Sequence, residues 1–172
     1  MALLATPPSE ENFGWALSVL GRALYLACEF ESTCRSLTFV FKVKEPKADD
    51  QSDEESFLAM RKAVLGRLVD LNRLIAKHTS LGDDYVAMLH SAREARNYIA
   101  HHAAGELKQF AKEPGGVDQW RKCMDSKLQE LALGKIIVAV ILSRNSAEPT
   151  PTRGTIDAYP KSMVSWVLNG DA

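Results

Sequence analysis

The residues of this chain best suited to chemistry lie close together, in the run Arg96-Asn97-Tyr98-Ile99-Ala100-His101 with His102 directly after it. Histidine moves protons near neutral pH. A planar guanidinium matches phosphate oxygens two at a time and suits the negative charge that builds on a phosphorane. An amide one turn before a histidine is placed to orient the ring or to hold a phosphate oxygen. These residue types suit proton transfer beside a phosphate group.

The run sits late in a segment with helical periodicity. At about 100° per residue, an apolar stripe passes through Tyr85, Met88, Leu89, Ala92, Ala95, Ile99 and Ala103, and Arg96 falls near its middle. A charged group on such a face is costly unless it is paired or hydrogen-bonded, and breaches of the packing rule concentrate at functional sites. Beside the stripe climbs a polar line, His90, Glu94, Asn97 and His101. The spacing recurs in Arg73-Leu74-Ile75-Ala76-Lys77-His78, but Arg73 lies opposite the apolar residues Phe57, Leu68 and Ile75 and is followed by Leu74, so this copy is read as coincidence.

The run Ala95-Arg96-Asn97-Tyr98-Ile99-Ala100-His101 in an all-helical chain of 172 residues resembles the HEPN superfamily. Its signature is an arginine, usually followed by a polar residue, with a histidine four to six positions further on. The resemblance implies a metal-independent endoribonuclease of toxin–antitoxin, abortive-infection or other antiviral-defence systems, with RNA as substrate and no cofactor. It implies a homodimer in which two motifs face each other, and an antitoxin or regulatory protein as a further partner. On this resemblance Arg96 stabilises the phosphorane, His101 transfers protons and Asn97 orients. His102 also satisfies the looser spacing, and His90 and Tyr98 are auxiliary candidates. One subgroup carries a tyrosine two residues after the histidine that a partner nucleotidyltransferase modifies. Ala103 stands there in this chain, so that route of inactivation is not expected.

Arg96 and His101 point about 140° apart on an ideal helix, so two copies related by a two-fold axis are expected to complete the site along this helix. Bases are most accessible in single-stranded or looped RNA. Plainer roles stand beside these. Arg96 also fits a structural arginine paired with an acid such as Glu31 or Glu130. His90, His101 and His102 fit surface or helix-end positions, and Tyr98 fits packing against another helix. Trp120 and Trp166 read as core or interface anchors. The alternative function is a non-catalytic helical module that binds a protein partner, suggested by near-neutral charge, the very apolar stretch Ile136–Leu142 and a last helix set apart from the rest.

The net charge is −1, which excludes a strongly basic general binder of nucleic acid, although Lys108, Lys112, Arg121, Lys122 and Lys127 form a weak cluster. With 46% hydrophobic and 25% charged residues the composition is globular, and the length suits one domain spanning 1–172. Cys28, Cys34 and Cys123 have no metal-ligand spacing and read as small hydrophobes. Met1 to Pro8 lacks the charged start and apolar block of a signal peptide, and no apolar run spans a membrane, so a reduced cytoplasmic setting is expected.

The elements expected to position the motif are four long helices in an up-and-down bundle, with core about 10–143, plus a short C-terminal helix. Ser9 caps the first, whose inward set is Phe13, Leu17, Leu20, Leu24 and Ala27. Its period extends towards Val43, while Leu37–Phe41 is also β-prone and suits a short strand, for which no partner is evident. Ser52-Asp53-Glu54-Glu55 is a capping box opening a second helix to about Lys77, with Phe57, Met60, Val64, Leu68, Leu71 and Ile75 inward. Ser80-Leu81-Gly82 ends it and Asp83 or Asp84 starts the third. Gly115-Gly116 is the next break, after which Asp118 caps a fourth helix to about Ser143. Trp120, Cys123 or Met124, Leu128, Leu131 and Ile136 face inward there, and Ile136–Leu142 reads as deeply buried or in an interface. The connector is 146–159, and Pro160 begins the last helix (160–169) with Met163, Trp166 and Val167. Gly-rich phosphate loops and repeated strand signals are absent, which excludes Rossmann and P-loop nucleotide folds.

Overall fold

The computed structural model describes residues 10–44, 54–55, 79 and 81–170. The expected second helix, with its capping box and the Arg73–His78 copy, lies almost entirely outside the described residues. The described residues form five helices and no strand: α1 (Glu10–Lys44), α2 (Asp83–His101), α3 (Ala103–Phe110), α4 (Gly116–Asn145) and α5 (Arg153–Asn169). None is long and apolar enough to cross a membrane.

The segment Leu37–Phe41 is helical, not a strand. Leu37 and Phe41 fall one turn apart on the buried side of α1, continuing a seam through Ala16, Val19, Ala23, Leu26, Phe30 and Cys34. Steps of three and four in that seam keep one face inward over the whole helix, and this outweighs the local β preference. The seam also corrects the expected inward set. Leu20 and Ala27 are buried, but Leu17 and Leu24 are 50% and 36% exposed. Small side chains, Ala16 and Ala23, sit inward instead and let neighbouring helices approach closely.

Specific contacts give the helix directions. Trp15 meets Trp120 edge-on with ring centres 6.4 Å apart, and Lys44 donates to Asn145 at 3.0 Å, so α1 and α4 run the same way. Gly134 of α4 crosses Ala92 of α2, while Trp120 Nε1 donates to the Ala103 carbonyl at 3.0 Å, so α2 and α3 run against α4. Helix α5 runs against α1. Its last turn is closed by Trp15 Nε1 donating to the Leu168 carbonyl (3.1 Å) and Arg22 Nε donating to that of Val167 (2.8 Å), which satisfies carbonyls a helix end otherwise leaves unpaired. Gly170, at φ +82°, supplies the left-handed stop.

This last helix therefore begins seven residues earlier than expected and is docked, not set apart. Thr152 caps it, its hydroxyl accepting from the Thr155 amide at 3.2 Å. Pro160 lies inside it and removes one backbone donor. The helix continues because Val164, Val167 and Leu168 are core residues, so the core extends well past residue 143. In α4, Trp120, Met124, Leu128, Leu131 and Ile136 are buried and Cys123 is only half-buried. Along Ile136–Leu142 the burial alternates: Ile136, Val138 and Ile141 are inward and their neighbours partly exposed, so the stretch is not buried on every side. Gly115, at φ +71°, caps α4, which puts Asp118 in its first turn. Gly116 must be glycine, because a Cβ there meets the Phe110 carbonyl oxygen at 2.0 Å.

Candidate functional site

The stripe on α2 holds in its second half. Leu89, Ala92, Ala95, Ile99 and Ala103 are buried, whereas Tyr85 and Met88 are 51% and 41% exposed. The helix leaves the core towards its N-terminus, and Val86 and Leu133 are exposed beside them. A groove of about 380 Å³ opens there, lined by Asp84, Ala87, Met88, Ser91, Glu130 and Leu133.

Arg96 follows Ala92 by one turn and leans towards α1, where its Nη2 pairs with Glu31 Oε2. Its Nη1 donates to Asn97 Oδ1 at 3.2 Å. Glu31 is shared, since its other oxygen accepts from Arg35 Nη2 at 2.5 Å. About a fifth of both the Arg96 and the Glu31 side chain remains exposed, and 47% of Arg35. The apolar neighbours are thus shielded from a lone charge, and the guanidinium still reaches solvent. Of the two acids considered for it, Glu31 is the partner; Glu130 takes Lys127 at 2.9 Å.

His101 and His102 are both exposed at the junction of α2 and α3. At His102 the backbone departs from helical values (φ −119°) while its amide still bonds the Tyr98 carbonyl at 2.8 Å, so the chain bends without losing the hydrogen bond. The His102 ring lies 6.5 Å from the Tyr98 ring and 30° from parallel to it, and the two imidazoles are also 6.5 Å apart. Tyr98 faces α3 and α4. Its hydroxyl donates to Glu106 Oε2 at 2.5 Å and accepts from the Cys123 thiol at 3.4 Å. Burial, followed by these two hydrogen bonds, holds that hydroxyl well above the usual tyrosine range. Tyr98 is therefore tied into the packing and is not a free platform for a base. His90 is a surface residue whose Nε2 accepts from Arg93 at 3.1 Å.

The motif is thus split between two sides of α2. Arg96 and Asn97 belong with Glu31 and Arg35 on the α1 side. Tyr98 and His102 belong with Glu106 and Cys123, and His101 stands in solvent between them. No contact joins Arg96 to either histidine among the described residues. Sequence reasoning missed Arg35, Glu106 and Cys123 as members of these clusters. The signal for Arg35 was present, because it stands four residues after Glu31 on one helix. Those for Glu106 and Cys123 depend on a bend and a helix crossing that periodicity does not contain. In the weak basic cluster, Arg121 lies 5.1 Å over the Trp15 ring and Lys127 is paired with Glu130, so two of its five cations have structural partners. No group of three or more His, Cys, Asp or Glu is placed to hold a metal among the described residues.

The class these features define is an all-helical protein with an exposed polar helix junction. No family model matches the chain, and no curated protein or solved structure matches it either.

Proposed function

We propose that the chain is a HEPN-like, metal-independent endoribonuclease that works as a homodimer in the cytoplasm, as a toxin or antiviral-defence effector. In this proposal α2 lies along the dimer axis. Arg96 takes the scissile phosphate, Asn97 orients it, and His101 or His102 of one protomer moves the proton to or from the 2′-hydroxyl and the leaving oxygen. An antitoxin or regulatory protein restrains the activity.

The observation that carries the proposal is the state of Arg96. It is partly exposed, bound to Asn97, and five and six residues before a pair of solvent-facing imidazoles. Within one chain the arginine and the histidines diverge, so catalysis requires the second copy. The exposed apolar residues Tyr85, Val86 and Met88 of α2 and Leu133 of α4 offer it a surface. The same residues support the second reading, a helical module that binds a protein partner without catalysis.

The deciding experiment incubates folded wild type, Arg96→Lys, His101→Ala and His102→Ala with single-stranded RNA in EDTA, and analyses the ends produced. Cleavage to cyclic phosphate by the wild type, lost at least about a hundredfold in Arg96→Lys and in one histidine variant, is the expected result. Arg96→Lys retains a charge for Glu31 and loses the fork, which separates catalysis from folding. Folded wild type that leaves RNA intact, or that sediments as a monomer at assay concentration while cleaving, overturns the proposal in that respect.

A further inference from the structure

Glu31 is answered twice. Its two oxygens are taken by guanidiniums from different helices, Arg35 on its own and Arg96 on α2. Among the described residues, two cations on one carboxylate leave one unit of positive charge uncompensated, at a place where all three side chains retain solvent contact. A guanidinium carries five N–H donors. Glu31 and Asn97 occupy two nitrogens of Arg96, and Glu31 occupies one of Arg35, so donors remain on both.

We propose that Arg35 and Arg96 form a two-armed site for one phosphodiester of RNA, with Glu31 as the counter-ion that holds both arms in the free protein. The proposal rests on the nuclease reading for the identity of the anion. A phosphodiester bears one negative charge, which is the amount needed to neutralise the cluster. It has two free oxygens, which suit two forked donors. Arg35 and Glu31 form an exposed pair on one helix, and such pairs are weak. Glu31 can therefore follow Arg35 while the phosphate takes the inner nitrogens of Arg96. The carboxylate has two effects: it keeps a stripe-facing cation from standing alone, and it competes with the substrate.

The test measures binding separately from cleavage. The probe is a fluorescein-labelled single-stranded oligoribonucleotide with 2′-O-methyl groups throughout, which has no free 2′-hydroxyl to attack. Its anisotropy is followed with full-length protein over a range of salt. Arg35→Gln is expected to weaken binding about fivefold and to lower the salt slope by about 1. Glu31→Gln is expected to strengthen it about fivefold at low salt. Glu148→Gln, the same charge change in the α4–α5 connector, controls for net charge and should leave binding within about twofold.

Binding by Arg35→Gln equal to wild type overturns the proposal, as does wild type that does not bind the probe. So does Glu31→Gln that is folded and binds no more tightly than Glu148→Gln. Should Glu31→Gln fail to fold, Arg35→Gln decides alone, since that side chain is half exposed. The two proposals fail separately. Arg35-dependent binding without cleavage of unmodified RNA leaves this site standing and removes the nuclease, whereas cleavage with Arg35-independent binding does the reverse.

Discussion

The crossing of α2 and α4 sets where Arg96 points, and it rests on one missing methyl group. A Cβ built on Gly134 comes within 2.2 Å of the Ala92 Cβ and 3.3 Å of Phe30 Cε2. Carbon contact becomes ordinary at 3.4 Å, so Gly134→Ala forces the helices apart by about 1.2 Å at the crossing. In an open helix the same change is stabilising by about 1 kcal/mol, because alanine is the better helix former. Overpacking in a tight core costs about 1–3 kcal/mol. Here it also loosens Leu89, Ala95 and Ile99 of α2 against α4, which places the cost at the upper end, about 3 kcal/mol. The net expectation is a loss of about 2 kcal/mol, or about 4–8 °C in Tm for a chain of this size. Urea unfolding followed by far-UV circular dichroism measures it. Ala92→Gly removes the opposing methyl and costs about 1 kcal/mol of helix propensity alone, so the double variant should recover, with a coupling of about 3 kcal/mol between the two sites. Arg96 stands one turn beyond Ala92, so the single variant should also lose RNA binding and the double regain it. The sign carries the test. Gly134→Ala as stable as wild type, or two changes that merely add, would refute the close crossing.

Two further outcomes follow from other parts of the core. Trp120 is fully buried and its indole donates to the Ala103 carbonyl beside the α2–α3 bend, so Trp120→Phe leaves an acceptor short and a small void. A loss of about 2 kcal/mol on urea unfolding is expected, and a loss below about 0.5 kcal/mol would show that the indole does not anchor the bend. Burial, then the nearby Glu31 carboxylate, pushes the Cys34 thiol up from 9.0 to about 12. Between those values the unfolded chain releases this proton and the folded chain keeps it, so stability is complete below pH 9 and falls as pH rises towards 12. The contribution is at most about 1.4 kcal/mol per pH unit. Cys34→Ala should flatten the fall in urea midpoint above pH 9, and an unchanged fall would assign it to other groups, such as Tyr159, which burial also pushes up to about 12. Thiol reagents should label exposed Cys28 in the native protein and Cys34 only after unfolding.

The helical content was legible because period 3.6 is strong in this chain, and the breaks were legible at Gly82 and Gly115, although only Gly115, at φ +71°, adopts a backbone that favours glycine. What misled was local composition. Leu37–Phe41 is β-prone, yet it extends a buried seam that starts at Ala16. Pro160 suggested a helix start, yet a threonine cap and three core residues carry the helix through it. On α1, Leu20 and Ala27 face inward as expected, whereas Leu17 and Leu24 yield to the smaller Ala16 and Ala23. The C-terminal helix was read as detached because sequence carries no sign that Trp15 and Arg22 close its last turn.

The site was legible as an anomaly and not as a geometry. A cation within an apolar stripe demanded a partner, and the partner is an acid 65 residues earlier in the chain. The Glu31 pair gives Arg96 the partner that a structural role requires, so the proposed role rests on what surrounds that pair. A structural pair closes its charge account: one cation, one anion, both withdrawn from water. Among the described residues this cluster holds two cations to one anion and stays wet, which is the incomplete pairing that the proposed phosphodiester site relies on. The packing rule was broken on α2 and then only partly mended from α1. Full neutralisation was available to the fold by replacing exposed Arg35 with a neutral residue, at little cost to an i,i+4 surface pair. In the proposed site Arg35 has a second role, as the other arm for the phosphate, beyond its weak i,i+4 pair with Glu31.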